Sequence, residues 1–258
     1  MGELNPTIRK ILDKMKELDD RAEAWLINPK TVRYSILAAL CVFLPAIFIG
    51  YLVAQLDPDG YNIFKNMISD LGSFNHTPVP LFLDWGAMIT SFLLLPSTFY
   101  LEKLLNPIPE KAQEPIKFSR VRSRWGSLAF FWMLFGLVGF FGIGFFSEDR
   151  SNLLQGIGLP GLHGIFSVIV FGGISIAGIF FGLIIAIYPM DELKIPRLLG
   201  FYMMFGPPIM CFLFLYNVPP SPSFWEWMLM FSIFVWIIPV AFIVERKVRK
   251  EIPPKEAK

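Results

Sequence analysis

A chain of 258 residues that is 54% hydrophobic, with 27 Phe and only 17% charged residues, is excluded from the ordinary water-soluble classes. Its mean hydropathy of +0.54 is that of a multi-pass membrane protein. A net charge of +2 gives no basic field for nucleic acid, and the two cysteines, Cys41 and Cys211, fall in separate apolar runs where a disulfide is not expected.

The first element is an amphipathic helix over residues 5–28. Asn5-Pro6 supplies a cap and a proline suited to the first helical position, and Asn28-Pro29 closes the segment. Leu4, Ile8, Ile11, Leu12, Met15, Leu18, Ala22, Trp25 and Leu26 form one stripe, which predicts a helix lying on the membrane surface or beside the bundle. Its basic residues are matched by acidic ones, so it is not a nucleic-acid arm. No early apolar core precedes it, so a cleavable signal peptide is not expected and the first membrane helix directs insertion.

Six apolar segments follow, each near the ~20 residues that cross a bilayer. They are placed at Tyr34–Leu56, Leu81–Tyr100, Gly126–Phe146, Leu162–Tyr188, Leu198–Tyr216 and Trp225–Val244. The fifth carries Gly206-Pro207-Pro208 near its centre, where a kink is expected, as at Pro45 in the first. The fold class is therefore all-α: a six-helix transmembrane bundle over 34–245, an amphipathic segment over 1–33 and a basic tail over 246–258.

Alternating the loops gives the orientation. Of the 23 Lys and Arg, all but Lys65 and Arg150 fall on the side of the termini, which predicts cytoplasmic termini and an even number of crossings. The other face is acidic, with Asp57, Asp59, Asp70, Asp84, Glu148, Asp149 and Glu226, and it also receives both histidines. Glycines gather in the third and fourth spans, including Gly136, Gly139, Gly173, Gly178 and Gly182. Such small residues let helix backbones approach, within the chain or in an oligomer.

Between the first two spans, Ile63, Phe64, Met67, Ile68 and Leu71 share one helical face, and Gly72 stands where a helix would stop. The expectation is a short outer-surface helix over 61–72. The residues able to carry chemistry lie around it: Ser69 and Asp70 on it, His76 in the hinge, Asp84 opening the second span, Arg150 after the third and His163 opening the fourth. Ionisable groups at membrane depth face the bundle interior, so Asp84 is a candidate ligand or proton carrier. Arg150 is expected to pair with Asp70, Asp84 or Glu148. His76 and His163 with Asp84 or Asp70 make a candidate zinc set, although no close ligand spacing such as H-x-x-x-H is present. Ser69 and Asp70, as helix neighbours, do not face each other and form no nucleophile pair alone. Trp225 and Trp227 are expected as interfacial anchors, with Trp85 and Trp132 deeper. Asn75-His76-Thr77 is formally a glycosylation sequon too close to the second span for ready access.

Two stretches carry a resemblance. Ile68-Ser69-Asp70-Leu71-Gly72 followed by Pro80-Leu81-Phe82-Leu83-Asp84-Trp85-Gly86, and Gly142-Ile143-Gly144-Phe145-Phe146-Ser147-Glu148-Asp149 followed by Leu162-His163-Gly164, resemble the domain-of-unknown-function 998 family of mainly prokaryotic six-helix membrane proteins. More distantly, the layout is similar to the eukaryotic DRAM/Frag group. The resemblance implies the six-helix fold over about residues 34–245 and a prokaryotic cell-membrane setting, and it brings no chemistry with it. The functional expectation is a non-enzymatic membrane protein, without a cofactor, whose acidic outer cavity binds a lipid headgroup or small cation, or which acts as a scaffold. The alternatives are a zinc-dependent lipid hydrolase or transferase built on His76, His163 and Asp84 or Asp70, and a small transporter using Asp84 as its ion site.

Overall fold

The computed structural model describes residues 6–105, 120–188 and 194–253, and among these there is no strand. The helices are α1 (Pro6–Leu26), α2 (Pro29–Ala54), α3 (Leu81–Leu93), α4 (Leu95–Leu105), α5 (Arg120–Phe145), α6 (Glu148–Gln155), α7 (Leu162–Ile187), α8 (Arg197–Leu215) and α9 (Pro222–Glu251). Among the described residues, six spans are long and apolar enough to cross a membrane: α2, α3 with α4, α5, α7, α8 and α9. The chain is a polytopic, all-α integral membrane protein.

The second span is broken, which the hydropathy of the sequence does not reveal. Pro96 has no N–H for the Phe92 carbonyl, so the helical ladder is interrupted and α3 gives way to α4 across Leu94. By contrast, α2, α8 and α9 each run on through internal prolines, Pro45, Pro207-Pro208 and Pro239 respectively. The N-terminal element is helical as expected, and Met15, Leu18 and Trp25 of its stripe stay exposed rather than docking on the bundle.

Lipid tails are as apolar as leucine, so packing rather than water exclusion joins the spans, and glycine decides which pairs come closest. A Cβ on Gly139 would sit 2.5 Å from the Val170 amide nitrogen, and one on Gly136 would sit 2.9 Å from that of Ile174. The α5–α7 seam is thus a backbone-to-backbone contact inside the chain. Gly178 and Gly182 turn instead toward α8, against the carbonyls of Met203 and Gly200, while Gly164 and Gly172 meet nothing within 4 Å. Around these seams Trp236, Phe181, Ile184, Met203 and Leu229 are fully buried.

Two side-chain links fix which ends lie together. Arg33 Nε donates to Glu245 Oε1 at 3.0 Å and Tyr100 Oη donates to Glu251 Oε1 at 2.7 Å, so the start of α2 and the ends of α4 and α9 share one end of the bundle. The opposite, distal end gathers the 55–80 loop, the beginnings of α3, α7 and α9, and α6. The site lies there.

Candidate functional site

The distal loop owes its shape to side chains that compete with the backbone. Asn62 Oδ1 accepts from Phe64 N (2.8 Å) and Asn66 Oδ1 from Asn62 N (3.0 Å), and Gly60 takes φ of +68°. Helix is therefore denied to residues 61–66, and of the expected 61–72 element only a 3-10 helix, Ile68–Gly72, forms. Asp70 Oδ2 caps it, accepting from Met67 N at 2.9 Å. Tyr61 fastens the turn from inside by donating to the Met67 carbonyl at 2.5 Å, and burial pushes its phenol well above the ordinary range. Gly72 leaves room for the Asp84 carboxyl group, since a Cβ there would lie 2.7 Å from its Oδ1 and push on it.

The first turns of α9 hold this loop down. Ser221 Oγ donates to the Phe64 carbonyl (2.7 Å), Ser223 Oγ to that of Lys65 (3.1 Å), and Trp227 Nε1 to that of Asn66 (3.2 Å). Glu226, only 3% exposed, reciprocates by accepting the Ile68 N–H at 2.8 Å. Trp227 is thus a buried tether and not an interfacial anchor.

The other side of the loop meets α6. Asp149 accepts from Ser73 Oγ and Phe74 N, both at 2.8 Å. Arg150 donates to the carbonyls of Gly144 and Phe145 and lies 3.8 Å from Asp84 Oδ2, one of the three partners the sequence left open for it. His76 Nε2 stands 4.0 Å from Asp70 Oδ2. Burial raises the Asp70 carboxyl above its ordinary value, opposed by His76 and by the bond from Met67 N. Burial also raises Glu148, and the neighbouring Asp70 charge adds to the effect.

His163 is held from both directions. Its backbone N–H donates to Ser151 Oγ at 3.1 Å, and its ring Nδ1 meets the Phe146 carbonyl at 2.9 Å. A carbonyl only accepts, so Nδ1 carries a proton and donates it to Phe146. That Nε2 is buried and has no hydrogen-bond partner among the described residues. Glu148 Oε2 is in the same condition.

Beneath this polar roof lies a cavity of about 120 Å³. Its wall is apolar, contributed by α2, α3, α5, α7 and α9 through residues such as Leu40, Ala87, Phe140, Val170, Met230 and Ile237. Its polar lining is confined to a few side chains, chiefly Ser69, Asp84, His163, Ser167 and Glu226, with Thr90 lower down. The volume is close to the ~150 Å³ apolar cavity that admits benzene, which is room for a small apolar group.

The structure thus brings Ser69, Asp84 and His163 to one cavity, with Arg150 behind Asp84 and the Asp70–His76 pair on the loop above. No group of three His, Cys, Asp or Glu side chains is arranged to hold a metal ion among the described residues. His163 turns Nδ1 to Phe146 while His76 approaches Asp70. Glu226 and Glu148 were legible in the sequence only as two more acids. A sharper signal was available for the first: Glu226 stands four residues after Pro222, as Asp84 stands four after Pro80, each in the first turns of an apolar helix.

A family model described as a protein of unknown function (DUF998) matches residues 39–243, which takes in the whole cavity lining. No curated protein and no solved structure matches the chain.

Proposed function

The chain belongs to the DUF998 family, and from its geometry we propose that it binds the polar end and adjoining methylenes of one membrane lipid in the cavity under the 3-10 turn. The observation that carries this reading is the division of the lining. The surface of the cavity is almost wholly hydrocarbon, and the ionisable residues among its lining, Asp84, His163 and Glu226, stand at the distal end. A binding role needs no metal, and it uses Asp84, Glu226 and Ser69 as the fixed polar frame. Both termini lie in the cytoplasm, in a prokaryotic plasma membrane, so the cavity opens toward the outer leaflet. The support is the charge split, with only Lys65 and Arg150 on the distal side.

The test is the lipid retained by gently purified protein, measured by mass spectrometry. Ala39 is 4% exposed and lines the cavity, and Ala39→Phe places a ring in it. The expected result is near-stoichiometric lipid in the wild type and little in the variant, with an unchanged helix content by circular dichroism showing that the variant is folded. Equal lipid in both proteins would remove the reading.

A further inference from the structure

The short helix α6, between the third and fourth spans, is built inside out. Its polar residues turn toward the protein. Asp149 accepts from Ser73 Oγ and Phe74 N, and Arg150 donates to the Gly144 and Phe145 carbonyls. Ser151, buried, accepts the His163 N–H. The apolar side chains of α6 and of the turn that follows point away instead: Leu153 is 77% exposed, Ile157 76% and Leu159 46%. Beside them stand Asn152 and Gln155, exposed but uncharged. A helix packed at a water boundary has the reverse arrangement, with its apolar stripe on the core and its charges outward. Aliphatic side chains held outward cost free energy in water and lose that cost against hydrocarbon.

The level of α6 agrees with such surroundings. Helix α5 starts at the end of the bundle shared with α4, where Arg122 Nε donates to the Leu105 carbonyl, and its last charged residue is Arg124. Counted from Trp125 at 1.5 Å per residue, the ~30 Å of hydrocarbon ends close to Phe145. The first residue of α6, Glu148, therefore lies at the distal boundary of the bilayer. The flanking ends of α5 and α7 expose Phe145, Ile165 and Val168, so the outward face of α6 continues a surface that already looks into lipid. Three aliphatic side chains fall short of the ~800 Å² per partner that a stable protein interface buries.

We infer that α6 and the turn through Leu159 are an interfacial anchor, lying in the distal surface of the bilayer with Leu153, Ile157 and Leu159 among the first methylenes of the lipid chains. Lipid holds the outer side of the segment, while Asp149 and Ser151 tie its inner side to the 73–74 loop and to α7. This seating is independent of what occupies the cavity, so either can fail alone.

The experiment places single cysteines in the full-length chain after Cys41→Ala and Cys211→Ala. Each is spin-labelled and followed by power-saturation electron paramagnetic resonance in phosphatidylcholine liposomes. At Leu153→Cys and Ile157→Cys, as at Val168→Cys, oxygen is expected to relax the label faster than a water-soluble nickel chelate does. At Asp59→Cys, on the exposed distal loop, the order reverses. Faster relaxation by nickel at Leu153→Cys and Ile157→Cys would overturn the inference in favour of water. Labels shielded from both reagents would overturn it in favour of a protein partner, and labels broadened by each other in favour of a second copy. The unmodified protein gives a reading that does not depend on any variant folding. Phosphatidylcholine with a diazirine near the glycerol end of one chain is photolysed in the same liposomes, and adducts are mapped by mass spectrometry. Adducts within residues 153–159 are expected; adducts on the spans with none in that segment would overturn the inference.

Discussion

Glu226 is the residue on which the distal loop most depends. Its carboxyl accepts the Ile68 N–H at 2.8 Å across a separation of 158 positions in the chain, and both groups are buried. Glu226→Ala leaves that N–H without a partner and in no position to reach water. The cost is the desolvation penalty of one amide, about 1–3 kcal/mol. Ser221, Ser223 and Trp227 still hold residues 64–66, so the damage stays local to the 3-10 turn. Converted at 1.4 kcal/mol per factor of ten, local opening at Ile68–Gly72 rises roughly 5- to 150-fold. Glu226→Gln retains a carbonyl acceptor at the same reach and moves the opening by less than about tenfold. Amide hydrogen exchange of Ile68 and its neighbours, followed by mass spectrometry in detergent, reads this directly. If Glu226→Gln and Glu226→Ala loosen the turn equally, the backbone bond is not what Glu226 supplies. If Ile68 exchanges at its wild-type rate in Glu226→Ala, the whole account of the clamp fails.

Two further outcomes follow from other parts of the bundle. Gly139→Ala forces a Cβ against the Val170 backbone and lowers stability by about 1–3 kcal/mol, seen as a lower unfolding temperature in detergent. Gly164→Ala, with open space around it, is neutral or slightly stabilising; equal losses in both would show that the α5–α7 seam is not tight. The third outcome concerns pH. Burial raises the Asp70 carboxyl above its ordinary 3.8, so the fold favours the protonated form. Its contribution is fully present below 3.8 and is lost as pH rises through the raised value, and Glu148 acts in the same sense above 4.5. Exchange at Ser69–Ser73, corrected for intrinsic rates, therefore speeds up as pH rises above the ordinary carboxylate range. Asp70→Asn keeps an acceptor for Met67 N and flattens most of this rise; an unaltered profile in that variant would assign the titration elsewhere.

The sequence by itself determined the membrane class, the six spans and the all-α fold, because each span is a continuous apolar run whose backbone must satisfy itself within one helix. It also marked the acids and histidines that gather at one end, and it anticipated the Arg150–Asp84 pairing among its options. Local competition is where it fell short. Ile63, Phe64, Met67, Ile68 and Leu71 have helical spacing, yet Asn62 and Asn66 turn their amides on the backbone and leave only a 3-10 turn. Pro96 broke the second span, while Pro45, Pro207, Pro208 and Pro239 lie inside helices that continue, and no local rule separates the two outcomes. Only the tertiary structure decided which of the distal polar groups became a cavity roof. Ser69, Asp84, His163 and Glu226 come from four separate elements, and the contacts that align them span the bundle. The same holds for the orientation of His163, whose free nitrogen exists because the Phe146 carbonyl, seventeen positions away, took the other one. Periodicity is a property of one helix, whereas a site is a property of the distances between several.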